Sequence, residues 1–283
     1  MANVAIVTDS TAYLSEEMLN AYNIHTIPLS VVFGEKTYRE EIDMTTSTFY
    51  EKIQEVDQLP TTSQPPLGEF IKLYESLAET YDAVISIHLS SGISGTFATA
   101  QTAAESVEGI EVHPFDSEIS CAPQGYFVLE AAERAAKGED VDEIFARLEE
   151  LRERIRAYFM VDNLNHLHRG GRLSGAQALV GSMLQIKPVL HFEDKMIVPF
   201  EKVRTSKKAL NRIYELFEED AGTGKPIRAT VIHANRPAQA EEMKAELEKK
   251  FNNVTIDISY FGPVIGTHLG EGSLGLGWYI SGA

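Results

Sequence analysis

Ala83-Val-Ile-Ser-Ile-His-Leu89 runs directly into Ser90-Ser-Gly-Ile-Ser-Gly-Thr96 and then into a helix-like stretch over 97–107. An apolar run of strand length, a glycine turn and a helix, in that order, is the unit from which α/β proteins build anion sites. Gly92 and Gly95 let the backbone turn sharply and bring its N–H groups close to a ligand. Ser90, Ser91, Ser94 and Thr96 add neutral hydroxyl donors at the positive end of the following helix. The same residues also suit an ordinary glycine-rich turn with a serine cap. No Lys follows the glycines in the Walker spacing and no Gly-x-Gly-x-x-Gly is present, so a nucleotide gives way to a smaller anion such as a carboxylate.

Outward from this turn, β-type runs at 4–7, 24–29, 83–88 and 110–115 alternate with amphipathic stretches at 15–22, 66–80, 97–107 and 121–136. The alternation predicts an α/β domain, a mostly parallel sheet with helices on its faces. A helix over 141–155 carries Val141, Ile144, Phe145, Leu148, Leu151 and Ile155 at helical spacing. Beyond it the texture changes. Strands are expected at 158–161, 189–192, 196–203, 229–234, 254–260 and 275–280, with helices at 206–218 and 237–250, and Glu193-Asp194-Lys195 turns one hairpin. We therefore expect an N-terminal α/β domain, 1–156, and a C-terminal α+β domain, 157–283. The proline-rich stretch 57–66 reads as a long loop.

Composition narrows the function classes. The 283 residues carry 42 acidic and 25 basic side chains, a formal net charge of −17, which opposes a nucleic-acid partner. No apolar run approaches the roughly 18 residues that span a bilayer. Residues 2–9 read as a first strand rather than a signal peptide, and the single cysteine, Cys121, fits a reducing cytoplasm. At the start of an Ala-rich helix Cys121 reads as a small packed residue rather than a nucleophile. No zinc spacing appears, since His166 and His168 lack an evident third ligand.

Four further stretches invite a functional reading. Thr61-Thr62-Ser63-Gln64-Pro65 precedes a helix that Pro66 can begin, and its hydroxyls serve either a turn or a ligand. Arg169-Gly-Gly-Arg172-Leu-Ser174, ahead of an expected apolar helix over 176–184, reads as a phosphate cradle or as a turn with solvated arginines. The helix beginning near Thr205 has Arg204, Lys207 and Lys208 at its start and Glu215, Glu218, Glu219 and Asp220 at its end, the reverse of what its dipole favours. Such a start suits an anion or an acidic partner, or else an interdomain salt-bridge network. His268 sits in what reads as a flexible glycine frame over 264–272, structural or functional.

Val-Thr-Asp-Ser (7–10), Thr-Ser-Gln-Pro (62–65), Ser-Ser-Gly-Ile-Ser-Gly-Thr (90–96), Asp-Ser (116–117), Gly-Gly-Arg-Leu-Ser (170–174), Lys-Val-Arg-Thr (202–205) and Gly-Thr-His-Leu-Gly (266–270) together resemble the DegV family, in order along essentially the whole chain. The resemblance implies a two-domain lipid-binding carrier without catalytic residues, metal or cofactor, with a long-chain fatty acid between the domains. Thr62 and Ser94 would hold the carboxylate, with the Gly95 amide as a further donor. It also implies a separate ATP-dependent kinase that phosphorylates the presented carboxylate for phospholipid synthesis, with Arg204 and His268 near the head group. Pro66 replaces a common Ser, and Glu271 stands where Gly-Pro-Gly is usual, which places an extra carboxylate near His268. Competing readings are a Ser-dependent lipid hydrolase, a small-molecule phosphotransferase and a regulatory lipid sensor. No Gly-x-Ser-x-Gly elbow supports the first.

Overall fold

The computed structural model describes residues 3–56, 58–174 and 186–281. Two compact units divide the chain, one holding the residues up to Asp43 and Thr62–Glu153, the other Met44–Thr61 and the residues from Arg154 onward. The first begins with β1 (Val4–Asp9), a 3-10 turn (Ser10–Ala12), α1 (Glu16–Ala21), β2 (His25–Ile27), β3 (Ser30–Phe33) and β4 (Lys36–Arg39). The chain then lends α2 (Thr46–Ile53) to the second unit and returns within β5 (Thr61–Ser63). It continues through α3 (Leu67–Leu77), β6 (Ala83–His88), α4 (Thr96–Ser106), β7 (Glu111–Asp116), α5 (Ala122–Ala136) and α6 (Val141–Arg154).

Strands β2-β1-β6-β7 form a parallel sheet in that order, as the alternating pattern predicts. Every residue of β1 and β6 is buried, which is why their sequences are continuous apolar runs rather than alternating ones. Phe70, Tyr74 and Leu77 of α3, with Ala100 and Ala103 of α4, pack over Ala5, Val7 and Val84. A separate three-stranded sheet, β4-β3-β5, carries Thr62.

The second unit follows with β8 (Arg156–Met160), α7 (Asn165–Gly170), β9 (Val189–Glu193), β10 (Met196–Glu201), α8 (Ser206–Ala221), β11 (Ile227–His233), α9 (Pro237–Lys250), β12 (Val254–Tyr260), α10 (Pro263–Leu269) and β13 (Leu274–Ile280). Its sheet runs β10-β9-β8-β13-β11-β12, with β11 and β12 parallel and the other pairs antiparallel. The expected hairpin around Asp194 is there. Ala209, Ile213 and Phe217 of α8 and Ala240, Met243 and Leu247 of α9 cover Val231, Leu276 and Trp278. The Trp278 indole, edge-on to Phe217, donates Nε1–H to Asp220 Oδ2 at 2.7 Å, so this large core side chain leaves no polar atom unpaired.

The structure departs from the sequence reading in several places. A single cut between 156 and 157 misses the grouping of Met44–Thr61 with the second unit, and the later boundary falls between Glu153 and Arg154. Buried Phe49 and Tyr50 explain the grouping: the Tyr50 hydroxyl donates to the Phe261 carbonyl at 2.8 Å, and both rings crowd Gly266 of α10. The stretch read as a loop over 57–66 contains β5, and Pro66 is the N-cap of α3 rather than its first helical residue. The supposedly flexible glycine frame around His268 is α10, whose Pro263 occupies its first turn. The helix expected over 176–184 lies outside the described residues.

Replacing Gly266 by Ala tests the attachment of α2. The new methyl would stand 2.7 Å from the Tyr50 hydroxyl and 2.8 Å from Phe49 Cε1, both on buried side chains. We expect a loss of about 1–3 kcal/mol, read as a lower urea midpoint of unfolding.

Candidate functional site

Because β1, β6 and β7 are parallel, their last residues, Asp9, His88 and Asp116, lie at one edge of the first sheet. Chain order reverses between β1 and β6, and in open parallel sheets ligands bind outside the strand ends at such a point. The Ser90–Thr96 turn leaves β6 there. The amide just before it, Leu89 N–H, donates to Asp9 Oδ2 at 3.0 Å, while Ser91 donates from its backbone and its hydroxyl to Asp116. Ser90 N–H reaches the Ile119 carbonyl, and Gly92, Ile93 and Ser94 N–H all turn back onto Ser90. Thr96 N–H goes to Ser94 Oγ, which leaves Gly95 as the amide of 89–96 with no partner among the described residues. That amide stands at the N-terminus of α4, where the helix dipole favours an anion.

Ser94 Oγ lies 2.9 Å from the Thr96 hydroxyl, which is fully buried at the first position of α4. When Thr96 donates, Ser94 Oγ accepts twice and keeps its own hydrogen for a ligand. Gln64 brings the Thr62 segment to this turn. Its Nε2 donates to Thr99 Oγ1 of α4 at 2.6 Å, and its Oε1 lies 2.2 Å from where a Cβ on residue 95 would stand. A Cβ at 95 would push the exposed Gln64 side chain aside, and glycine leaves it in place. The structure thus draws together the segment of Thr62, which is half-buried, and the turn bearing Ser94 and Gly95.

Arg204 and His268 belong to the second unit. His268, on α10, lays its ring against Gly170 at the end of α7, where a Cβ would stand 2.5 Å from Nδ1. Burial, then the charges of Arg172 and His166, push its imidazole down to about 4. Arg172, rather than Arg204, is the arginine whose charge acts on His268; it also donates to the Gly170 carbonyl at 2.6 Å. Its motif was visible in sequence, but the choice between cradle and solvated turn needed α7 and α10 in place. Glu271, expected to place a carboxylate near His268, accepts from Gln54 and Asn235 at 2.8 Å each.

Arg204 is exposed just ahead of α8, whose N-cap Thr205 accepts from Lys208 N–H. The acids at the other end of α8 are engaged: Glu215 and Glu219 by Arg212, Glu218 by Lys250, Asp220 by Trp278. These pairings lie within the second unit and offset the unfavourable dipole there. Lys207 and Lys208 make no ion pair with a described residue. Cys121 is buried, and burial pushes its thiol up to about 12, which deprives it of nucleophilic thiolate. Among the described residues no three His, Cys, Asp or Glu side chains gather as a metal site, and no helix is long and apolar enough to cross a membrane.

A family model described as uncharacterised protein, DegV family, matches residues 3–281. The chain belongs to the DegV family. It is 58% identical over 277 residues to protein DegV of Bacillus subtilis, covering 98% of this chain and 99% of that one. The crystal structure of a Bacillus subtilis DegV, described as a fatty acid binding protein, superposes with a TM-score of 0.95 at 57% identity over 99% of this chain and 100% of that one. A fatty-acid-binding DegV family protein from Thermus thermophilus gives a TM-score of 0.91 at 32% identity, covering 99% and 100% of the two chains. The DegV motifs quoted above occupy the end of β1, β5 with Gln64, the turn after β6, the end of β7, the end of α7, the approach to α8, and α10.

The position of His268 has a consequence for stability. Its folded value near 4 lies below the ordinary 6.5, so over that interval the unfolded chain binds a proton that the folded chain refuses. Stability therefore falls as pH drops from 6.5 towards 4. We expect His268→Gln to lose less stability than wild type across the interval, read from urea midpoints at its two ends.

Proposed function

We propose that this chain binds a long-chain fatty acid through Thr62, Ser94 and the Gly95 amide, and presents it in the cytoplasm to a separate ATP-dependent kinase that makes the acyl phosphate. The Gly95 N–H beside Ser94, which meets no acceptor among the described residues, at the N-terminus of α4 and the switch point of the sheet, is the observation that carries the reading. Neutral donors suit a single carboxylate, because each stabilises the charge without a counter-ion that must itself be desolvated. Relatives described as fatty acid binding proteins support the ligand class. Burying an acyl chain at about 0.8 kcal/mol per methylene supplies a gross term on the order of 10 kcal/mol, enough to retain the ligand after the cost of association.

A stand-alone hydrolase fits less well. Asp9, His88 and Ser86 stand in the order acid, imidazole, hydroxyl, with Asp9 3.0 Å from His88 and Ser86 2.7 Å from it. Yet all three are wholly buried, and Ser86 Oγ also accepts from the Tyr74 hydroxyl at 2.8 Å. A hydroxyl so enclosed cannot reach an ester. Ser94, which is partly exposed, has Thr96 as its side-chain partner rather than a base.

Organic extracts of the purified protein should contain a fatty acid by mass spectrometry. Ser94→Ala and Thr62→Ala should each weaken fatty-acid binding by about 10- to 100-fold, the size of a hydrogen bond to a charged group at roughly 1.5–3 kcal/mol. Wild-type affinity in both variants removes these residues from the site. Acyl phosphate should form only with kinase and ATP added, and ester cleavage by the chain alone that vanishes in Ser94→Ala would favour the hydrolase.

Arg204, exposed with Lys207 and Lys208 at the basic start of α8, serves the kinase step in this proposal. Arg204→Ala should keep its copurified lipid and lose most kinase-dependent turnover, with a salt-sensitive defect if docking is what is lost. Wild-type turnover together with wild-type docking in a titration against the kinase returns Arg204 to a structural role.

A further inference from the structure

Val-Thr-Asp-Ser at 7–10 has no part in the carboxylate site described above, yet its aspartate governs the start of the turn. The Asp9 carboxylate is completely buried. Its Oδ1 accepts from Thr11 N–H at 3.0 Å and from the Thr11 hydroxyl at 2.5 Å, and its Oδ2 from His88 Nδ1 and Leu89 N–H at 3.0 Å each. His88 Nε2 in turn lies 2.7 Å from Ser86 Oγ, which receives the Tyr74 hydroxyl. Asp9 closes β1 and His88 closes β6, so this chain of contacts fixes the two strand ends that flank the switch point. Leu89, the residue that Asp9 grips, is one step before Ser90, onto which Gly92, Ile93 and Ser94 fold.

We propose that Asp9 and His88 are positioning residues for the carboxylate site: they touch no ligand, but hold Leu89 and Ser90 so that Ser94 Oγ and the Gly95 amide converge on one point. The inference rests on the reading that this turn binds a carboxylate. Asp9 is ionised in the fold: burial alone would raise its carboxyl, but the hydrogen bond and charge of His88, with the donors of Thr11 and Leu89, outweigh this and hold it below the ordinary range. An ionised carboxylate accepts only, so the hydrogen between the two residues sits on His88 Nδ1 and the ring orientation is fixed. An Asn at position 9 would have to turn either an oxygen or an NH2 towards Leu89 and His88, and one of its two ends would then face donors with a donor.

The test compares hexadecanoate with hexadecanol, which share a chain and differ in the charge that the turn must read. D9N should bind hexadecanoate at least about tenfold more weakly, the size of one lost charged hydrogen bond, and hold hexadecanol within about twofold of wild type. Tyr74→Phe keeps the core ring and removes the far donor of the chain; it should weaken hexadecanoate by about threefold or more and again spare hexadecanol. If D9N does not fold, Tyr74→Phe carries the test alone. Combined with Ser94→Ala, the Tyr74→Phe loss should shrink, since the two act on one contact. Wild-type affinity for hexadecanoate in the folded variants overturns the role, as does an equal loss for both probes, which would mark a merely structural part. A wild-type chain that ignores hexadecanoate ends the fatty-acid reading itself, and this role with it.

Discussion

A carboxylate taken wholly out of water costs several kcal/mol unless donors meet it, and Asp9 imposes that requirement on the first unit. Its donors come from three places in the chain: the 3-10 turn that follows β1, the end of β6, and the backbone of Leu89. Satisfying it therefore settles where β1 stops, how β6 is registered beside it, and in which direction the turn departs. Gln124 of α5 extends the same network, donating to Thr8 with its Oε1 3.0 Å from the Thr11 hydroxyl, so a helix more than a hundred residues away in sequence is tied to the same strand end. Asp116 repeats the device on the far side of the turn through Ser91. The turn is thus slung between two carboxylates that consume some of its donors, and the amide of Gly95 is what remains.

The second unit solves a different problem. Its helix α10 is short and glycine-bearing, and it keeps its place by close approach to other elements rather than by a long apolar stripe. Gly170 admits the His268 ring, Gly270 admits His166, and Gly266 admits the rings of α2. Crowding of this kind dries His268 and holds it neutral. The missing charge distinguishes it from Arg204, which stays exposed and cationic ahead of α8.

Local signals in the sequence suffice for what is local. Continuous apolar runs gave away β1 and β6, and the stripe Ile144, Leu148 and Leu151 gave away α6, since both depend on burial periodicity alone. The turn with Ser94 and Gly95 was legible because glycines and hydroxyls lie side by side between a strand and a helix. By contrast, α2 offers only the short apolar face of Phe49, Tyr50 and Ile53, and which unit that face joins depends on partners it meets only after folding. In α10 Gly266 lowers helix propensity, and tertiary contacts override it. The Asp9–His88 pair is separated by 79 residues, and nothing in either local stretch announces the other. For the same reason Arg172 could not be told from a solvated arginine.

The route of α2 carries a cost for a growing chain. Tyr50 is separated from its acceptor at Phe261 by 211 residues, so a ribosome that has released α2 must still make nearly all of the second unit before that bond can form. At about 5–20 residues per second the wait is on the order of tens of seconds. Throughout it Phe49 and Tyr50 lack their contacts with Phe261 and Gly266, while β1, β6 and β7 can already assemble from the chain on either side of them. The anchoring of α2 is therefore among the last contacts that synthesis makes possible, and the time its aromatic pair waits for them is time open to wrong contacts.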